Sequence, residues 1–180
     1  MEISAEQWYR ILAPRAVVLV STINNKGVSN AAPFSFVMPC SVKPPLIEFS
    51  SAPGHHTVKN ILKTKEFVVN IPGEALAEKL WVCGSDFPEG VSEIKKAGLT
   101  EIKSMKVKVP AIKECLAYIE CKLFDKFKTG DHITIVGKVV RTYIKDGYYA
   151  GSSYDVLKAS PLMHIGGKRF GITGKIVEVK

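Results

Sequence analysis

The stretch Cys115-Leu-Ala-Tyr-Ile-Glu-Cys-Lys-Leu-Phe-Asp-Lys-Phe127 decides the fold class. Cys115, Ala117, Ile119, Cys121, Leu123 and Phe127 fall on one side of an extended chain, and Glu120, Lys122 and Lys126 fall on the other. A period of two with one apolar face is a half-buried strand. Beyond Lys128–His132, residues Ile133 to Ile144 make a second long strand with a bend expected at Gly137, and Asp146-Gly147 is the turn after it. Working outward gives the same class. Ala16 to Ile23 is a nearly continuous β-branched run, ended by the turn residues Asn24-Asn25-Lys26-Gly27. Further strands are expected from Val28 through Phe36, at Leu46 to Ser50 behind Pro44-Pro45, at Phe67 to Ile71 and at Ile176 to Val179.

Helices are short and inserted. Ser4 and Gln7 form a capping box ahead of Trp8, Ile11 and Leu12 at helical spacing, and Pro14 ends that segment. Thr57 to Leu62 opens another helix. Glu74 to Val82 carries Leu76, Leu80 and Trp81 on one face, and Val91 to Ala97 is closed by Gly98. Strands joined mostly by tight turns make an antiparallel sheet that closes as a barrel. The fold class is mainly β with short inserted helices, in a single domain spanning residues 1–180.

The 180 residues are 46% hydrophobic and 23% charged, ordinary for a globular domain. The formal charge is +8, but nearly all the basic residues are scattered lysines, with arginine only at positions 10, 15, 141 and 169. Arginine reads phosphates and bases better than lysine, and no aromatics interleave with arginines as a stacking surface would need. The lysines read as a solubilising surface, and no nucleic-acid partner is expected. Cys40, Cys83, Cys115 and Cys121 make no C-x-x-C pair and have no histidine at finger spacing, so no metal site is expected and reduced thiols are. Met1 is not followed by a basic and then apolar leader, and apolar runs fall far short of the ~20 residues of a membrane span. The expectation is a cytoplasmic protein with no membrane partner.

Two segments stand out as binding sites. In Gly54-His55-His56-Thr57-x-x-Asn60, Thr57 and Asn60 share a face at a helix start, where free N–H groups and a positive dipole end favour a phosphate. On spacing alone the plainer reading, that Thr57 is only an N-cap, comes first. In Asn30-Ala31-Ala32-Pro33-Phe34-Ser35-Phe36, small residues and a mid-strand proline suit either a flat ligand lying on the backbone or an irregular edge strand. His132 and His164 are the remaining histidines, and a lone histidine is more often structural than catalytic. Zinc-protease, nucleophile-elbow and dinucleotide-loop motifs are absent. A borrowed cofactor is then the natural source of any chemistry.

In order along the chain, Arg15-Ala-Val-Val-Leu-Val-Ser-Thr22, Asn30 to Phe36, Ser41-x-x-Pro-Pro-Leu46, Thr57-x-x-Asn60-Ile61, Glu66-Phe-Val-Val-Asn-Ile71, Gly98-Leu99-Thr100, Glu120-Cys121, His132-x-x-x-x-Gly137-x-Val139 and Pro161-Leu162 with Gly166-Gly167 resemble the flavin reductase-like, FMN-binding split-barrel family. The resemblance implies a Greek-key split β-barrel that forms a homodimer. It also implies FMN held by Asn30, Ala31, Ala32, Pro33, Phe34 and Ser35 at the isoalloxazine and by Ser50, Ser51, His56, Thr57 and Asn60 at the ribityl phosphate. His132 takes the nicotinamide side as the catalytic residue. Many relatives carry Lys-Asp-Thr where this chain has His55-His56-Thr57, which makes phosphate affinity depend on histidine protonation. The implied activity passes electrons from NADH or NADPH through FMN to a flavin, ferric chelate or disulfide. The alternative is an FMN-containing electron-transfer protein reduced by a protein partner, without direct nicotinamide use.

Overall fold

The structure is a computed structural model that describes residues 1–151 and 153–179. Its strands and helices run β1 (Arg15–Ala16), β2 (Val18–Ile23), β3 (Ser29–Phe34), β4 (Val37–Ser41), β5 (Leu46–Ser51), α1 (His56–Thr64), β6 (Glu66–Ile71), α2 (Ala77–Cys83), α3 (Glu93–Lys96), β7 (Glu101–Ile102), β8 (Ala111–Ile112), β9 (Ala117–Thr129), β10 (His132–Ile144), β11 (Tyr149–Ala150), β12 (Ser153–Tyr154), α4 (Val156–Ala159), β13 (Met163–Gly166) and β14 (Arg169–Gly171). Seven of these form one antiparallel sheet in the order β3-β2-β6-β9-β10-β5-β4. The two edge strands, β3 and β4, are consecutive in the chain and joined only by Ser35 and Phe36. The sheet therefore curls until its edges meet. Among the described residues no ladder closes the seam between β3 and β4; the Ser50 N–H donates to the Phe36 carbonyl at 2.9 Å, which carries the β4–β5 pairing one residue into the link. This is the split barrel that the alternating strands imply.

Inside the barrel, Val18, Val20, Phe34, Phe49, Ile61, Phe67, Val69, Cys121 and Ile135 pack as one core. The long β10 bends as expected: the β9–β10 register shifts between Val136 and Gly137 and again between Val139 and Arg141. Gly137 lies under the fully buried Phe67 ring, and a Cβ there would stand 2.3 Å from Phe67 Cζ. Only glycine lets the bent strand come this close to the ring. A second core lies outside the sheet, where α2 and α3 bring Leu80, Cys83 and Ile94 onto Val17, Leu19 and Ala31.

Residues 104–112 lie over the outer face of β2, β6 and β9, held largely by side chains rather than a strand ladder. Ile112 N–H donates to Asn70 Oδ1 at 2.9 Å, and Ser21 Oγ donates to the Pro110 carbonyl at 2.7 Å. Glu120 belongs to this set and corrects the expectation that it faces solvent. Its side chain does leave β9 on the face opposite Cys121, but that face is covered and the residue is fully buried. The Met105 N–H donates to both carboxylate oxygens at 3.0 and 3.1 Å, Lys106 N–H also donates, and Arg141 Nη1 closes an ion pair at 2.9 Å. Burial pushes the Glu120 carboxyl up, but the two backbone donors and the guanidinium outweigh it and hold it below the ordinary carboxylate value.

Other expectations shift for identifiable reasons. The first segment is a 3-10 helix over Ala5–Arg10, with Ser4 Oγ accepting from the Glu6 N–H, and its stripe does not enter the core: Trp8, Ile11 and Leu12 are 59%, 69% and 59% exposed. Phe127 is exposed because β9 runs past the core after Leu123, and Trp81 is half exposed at the end of α2. Val37–Ser41 is a strand despite Pro39, which the sheet edge tolerates. Residues 176–179 form no strand; the last pairing is the β13–β14 hairpin, turned by Gly167 at φ 55°. The four cysteines are free, and three are buried.

Replacing Glu120 by Ala leaves the Met105 and Lys106 N–H groups and Arg141 without their acceptor, and is expected to cost about 3–5 kcal/mol in denaturant unfolding. Because the native carboxyl is depressed, its contribution is fully present above the unfolded value of about 4.3 and is lost as pH falls through the native one. The gap between wild type and variant should therefore narrow in acid.

Candidate functional site

Along the free edge of β3 runs a trough of two adjoining cavities that share Pro33, Gly84, Ser85 and Asp86. The first, ≈ 240 Å³, lies between Asn30–Phe34 of β3 and the start of α1 at His55, His56 and Thr57, with Glu93 in its wall. The second, ≈ 430 Å³, is lined by Val17, Leu80, Trp81 and Phe170 together with Ser35 and His164. One end is thus polar and faces a helix N-terminus, and the other is largely apolar.

At the polar end, His55 is the N-cap of α1, and its side chain makes no capping bond. Thr57 is therefore not the cap. It lies one residue inside the helix, is buried, and its hydroxyl donates to Asn30 Oδ1 at 3.3 Å. Asn60 is buried behind it and donates from Nδ2 to Thr22 Oγ1 at 3.0 Å, and Thr22 Oγ1 lies 3.4 Å from Asn30 Oδ1. Thr57 and Asn60 do share a face, and that face locks Asn30 onto α1. The first turn of α1 carries no acidic residue, so its N-terminal field is uncompensated on its own element.

His56 lines the trough, and its Nδ1 stands 3.9 Å from Glu93 Oε1. Glu93 is 4% exposed, and its Oε2 has no hydrogen-bond partner. Burial raises the Glu93 carboxyl above its ordinary value, against the opposing pull of its own backbone, of His56, and of donors on Asn30 and Ala31. Cys83 also borders this cavity. Burial, with Glu93 adding to it, pushes its thiol up to about 12, so it is no thiolate nucleophile at neutral pH.

Of the residues expected at a site, Asn30, Ala32, Pro33, Phe34, His56 and Thr57 line the first cavity, and Ser35 lines the second. Ala31 points to the opposite face, into the core beneath α2 and α3. Ser50 bonds Thr134 at 3.0 Å and Ser51 bonds His55 Nδ1 at 3.2 Å; neither lines the trough. His132 is also outside it, with its ring 5.8 Å from Phe36 and its Nδ1 2.7 Å from Asp131. The histidine at the apolar end is His164, whose Nδ1 lies 3.3 Å from Ser35 Oγ. Sequence reasoning did not place Glu93 and His164 at the site. No local signal marks them; chain segments distant in sequence carry them to β3.

The trough fits FMN on this structure's own features. It divides into a polar end at a helix N-terminus and an apolar end with aromatic walls. It leaves one edge of β3 without a ladder partner among the described residues. The two adjoining parts, ≈ 240 and ≈ 430 Å³, together fall in the range of cofactor sites, roughly 300–1,000 Å³.

Comparison with known proteins agrees with this architecture. The chain superposes on nitrilotriacetate monooxygenase component B from Bacillus cereus with a TM-score of 0.88 at 28% identity, covering 99% of this chain and 95% of that one. Against the Pseudomonas fluorescens 2-nitrobenzoate 2-nitroreductase the TM-score is 0.87 at 28% identity, covering 99% and 92%. An FMN-binding protein from Thermus thermophilus shares the fold at a TM-score of 0.83 and 19% identity, covering 100% and 98%. The model of the flavin reductase like domain matches residues 9–173, and the chain belongs to that family.

Proposed function

We propose that this protein is an FMN-dependent oxidoreductase that takes electrons from NADH or NADPH and delivers them to a second acceptor. The observation that carries the reading is the divided trough on the bare edge of β3. The family supports a flavin, and the similar structures include a nitroreductase, a monooxygenase component and an FMN-binding protein. Bound FMN supplies a carrier that accepts hydride and releases electrons in ones or twos.

The chain's residues divide the remaining work. The N-terminal amides of α1, with His55 and His56, would hold the phosphate. Thr57 and Asn60 fix Asn30 against α1, so the polar wall is set before binding. Ala32 and Pro33 carry no long side chain, which lets a flat ring lie against the β3 backbone. Trp81 and Phe170 exclude water from the apolar end, and Ser35 with His164 offers a hydroxyl and an imidazole beside it. The free thiols fit a cytoplasmic setting.

Purified protein should be yellow and release FMN rather than FAD. Thr57→Ala should weaken FMN binding to the apoprotein by about 1.5–3 kcal/mol, the worth of a hydrogen bond to a charged group together with the loss of Asn30's anchor. Wild-type affinity in that variant would remove Thr57 from the cradle.

FMN affinity should fall as pH rises. An arriving phosphate disfavours ionised Glu93, so this carboxyl, already raised by burial, binds its proton more tightly in the complex. The gain is complete below the Glu93 pKa of the free protein and lost as pH rises through its pKa in the complex. Glu93→Gln should keep the shape, strengthen binding at neutral pH and flatten the acid side of the profile. Titrations from pH 5 to 8.5 on both proteins cancel the phosphate's own ionisation; identical profiles would show that Glu93 does not face the ligand.

The homodimer belongs to the same reading. Trp8, Ile11 and Leu12 of the N-terminal segment are exposed, as are Phe36 and Met38 at the seam. That much large apolar surface calls for a cover, and a second copy supplies it. Light scattering should give twice the chain mass of 19.7 kDa, and the chain mass itself would contradict the dimer.

A further inference from the structure

A third cavity, ≈ 660 Å³, adjoins the trough, and His164 lines both it and the trough's apolar end. Its charge is one-sided. Arg10, Arg15, Lys168 and Arg169 line it, and no carboxylate does. The chain has four arginines among 25 basic residues, and three of the four meet here. Among the described residues none of these four cations is in an ion pair. Arg15 is fixed rather than free: Nη1 donates to the Tyr9 carbonyl, Nη2 lies 3.5 Å from His164 Nδ1, and Nε is buried without a partner. Gly166 in the wall has an ordinary φ, and a Cβ there would meet nothing within 4 Å. The glycine falls at a register shift of the β13–β14 hairpin, and its bare backbone leaves this wall of the cavity open.

We propose that this basic cavity binds the diphosphate of a nucleotide, which on the reading above is the reduced nicotinamide donor. Guanidinium forks match phosphate oxygens in pairs, and cations converging without a counter-charge are stabilised when an anion arrives. Tyr9 gives the cavity an aromatic wall suited to a base. The shared His164 wall lets a ligand anchored by its phosphates extend into the trough where electrons are exchanged.

The test uses FMN-loaded full-length protein, so that the phosphate cradle is already filled. Arg10→Gln, Lys168→Gln and Arg169→Gln are combined, and Lys103→Gln with Lys113→Gln and Lys122→Gln serves as a control of equal charge loss. Inorganic pyrophosphate and ADP are titrated by calorimetry, and KM and kcat are measured with NADH and NADPH. The expected result is at least a tenfold loss of pyrophosphate and ADP binding and a tenfold rise in donor KM, with kcat and FMN affinity unchanged and the control like wild type. Unchanged ADP binding and donor KM in the triple variant would overturn the proposal. So would a variant that slows only ferric citrate reduction, which would give the cavity to the acceptor. If neither nicotinamide reduces the flavin while ADP binds wild type and not the variant, the diphosphate site stands and the nicotinamide reading alone falls.

Discussion

Two residues, Ser35 and Phe36, span the gap between the two edge strands of a seven-stranded sheet. So short a link forces the sheet to close on itself, and the rest of the architecture follows. Closure needs a strand that bends sharply, and β10 bends at two register shifts with Gly137 beneath Phe67. Among the described residues the seam forms no ladder, and β3 pairs with β2 alone. A strand with one free edge can hold Pro33 without losing a sheet hydrogen bond, and the same free edge is what the trough is built on. Closure and the binding trough are thus two results of one connection.

Two buried carboxylates show how stability and binding separate. Glu120 is met by two backbone donors and a guanidinium, and it is held ionised. It fastens residues 104–107 to the sheet and faces no cavity of the trough. Glu93 is as deeply enclosed but is left with one oxygen unpartnered, and burial raises its carboxyl. A fold under selection for stability alone has no use for an orphaned buried oxygen, because the desolvation is uncompensated. Its position beside His56 and the start of α1 puts that cost at the polar end of the trough.

Much of the fold was legible because barrel strands write their burial as alternation. The β9 and β10 runs, the Asn24–Gly27 turn and the bend at Gly137 all follow from local pattern. The misreadings share one physical cause: exposure depends on what covers a face, and period alone does not report it. Glu120 alternates like a solvent-facing residue, yet residues 104–107 lie over it. Trp8, Ile11 and Leu12 are spaced like a core stripe, yet nothing in one chain covers them. The site divides the same way. Asn30 to Ser35 and Thr57 stand in contiguous motifs and could be singled out, whereas Glu93 and His164 reach β3 only through tertiary packing and carry no local mark.

Charge shows the same limit. A net charge of +8 spread over scattered lysines reads as a solubilising surface, and for the lysines that account is sufficient. The arginines are different, because three of them, Arg10, Arg15 and Arg169, spread over 159 positions, converge on one cavity. Converging like charges repel, and across a water-filled cavity the repulsion is only partly screened. The fold accepts this at the end of the β13–β14 hairpin, next to the trough's apolar end. Within the trough the charges run the other way, with Asp86 and Glu93 in its walls. An anionic ligand entering from outside is therefore drawn first to the basic cavity, and the shared His164 wall is where the two fields meet.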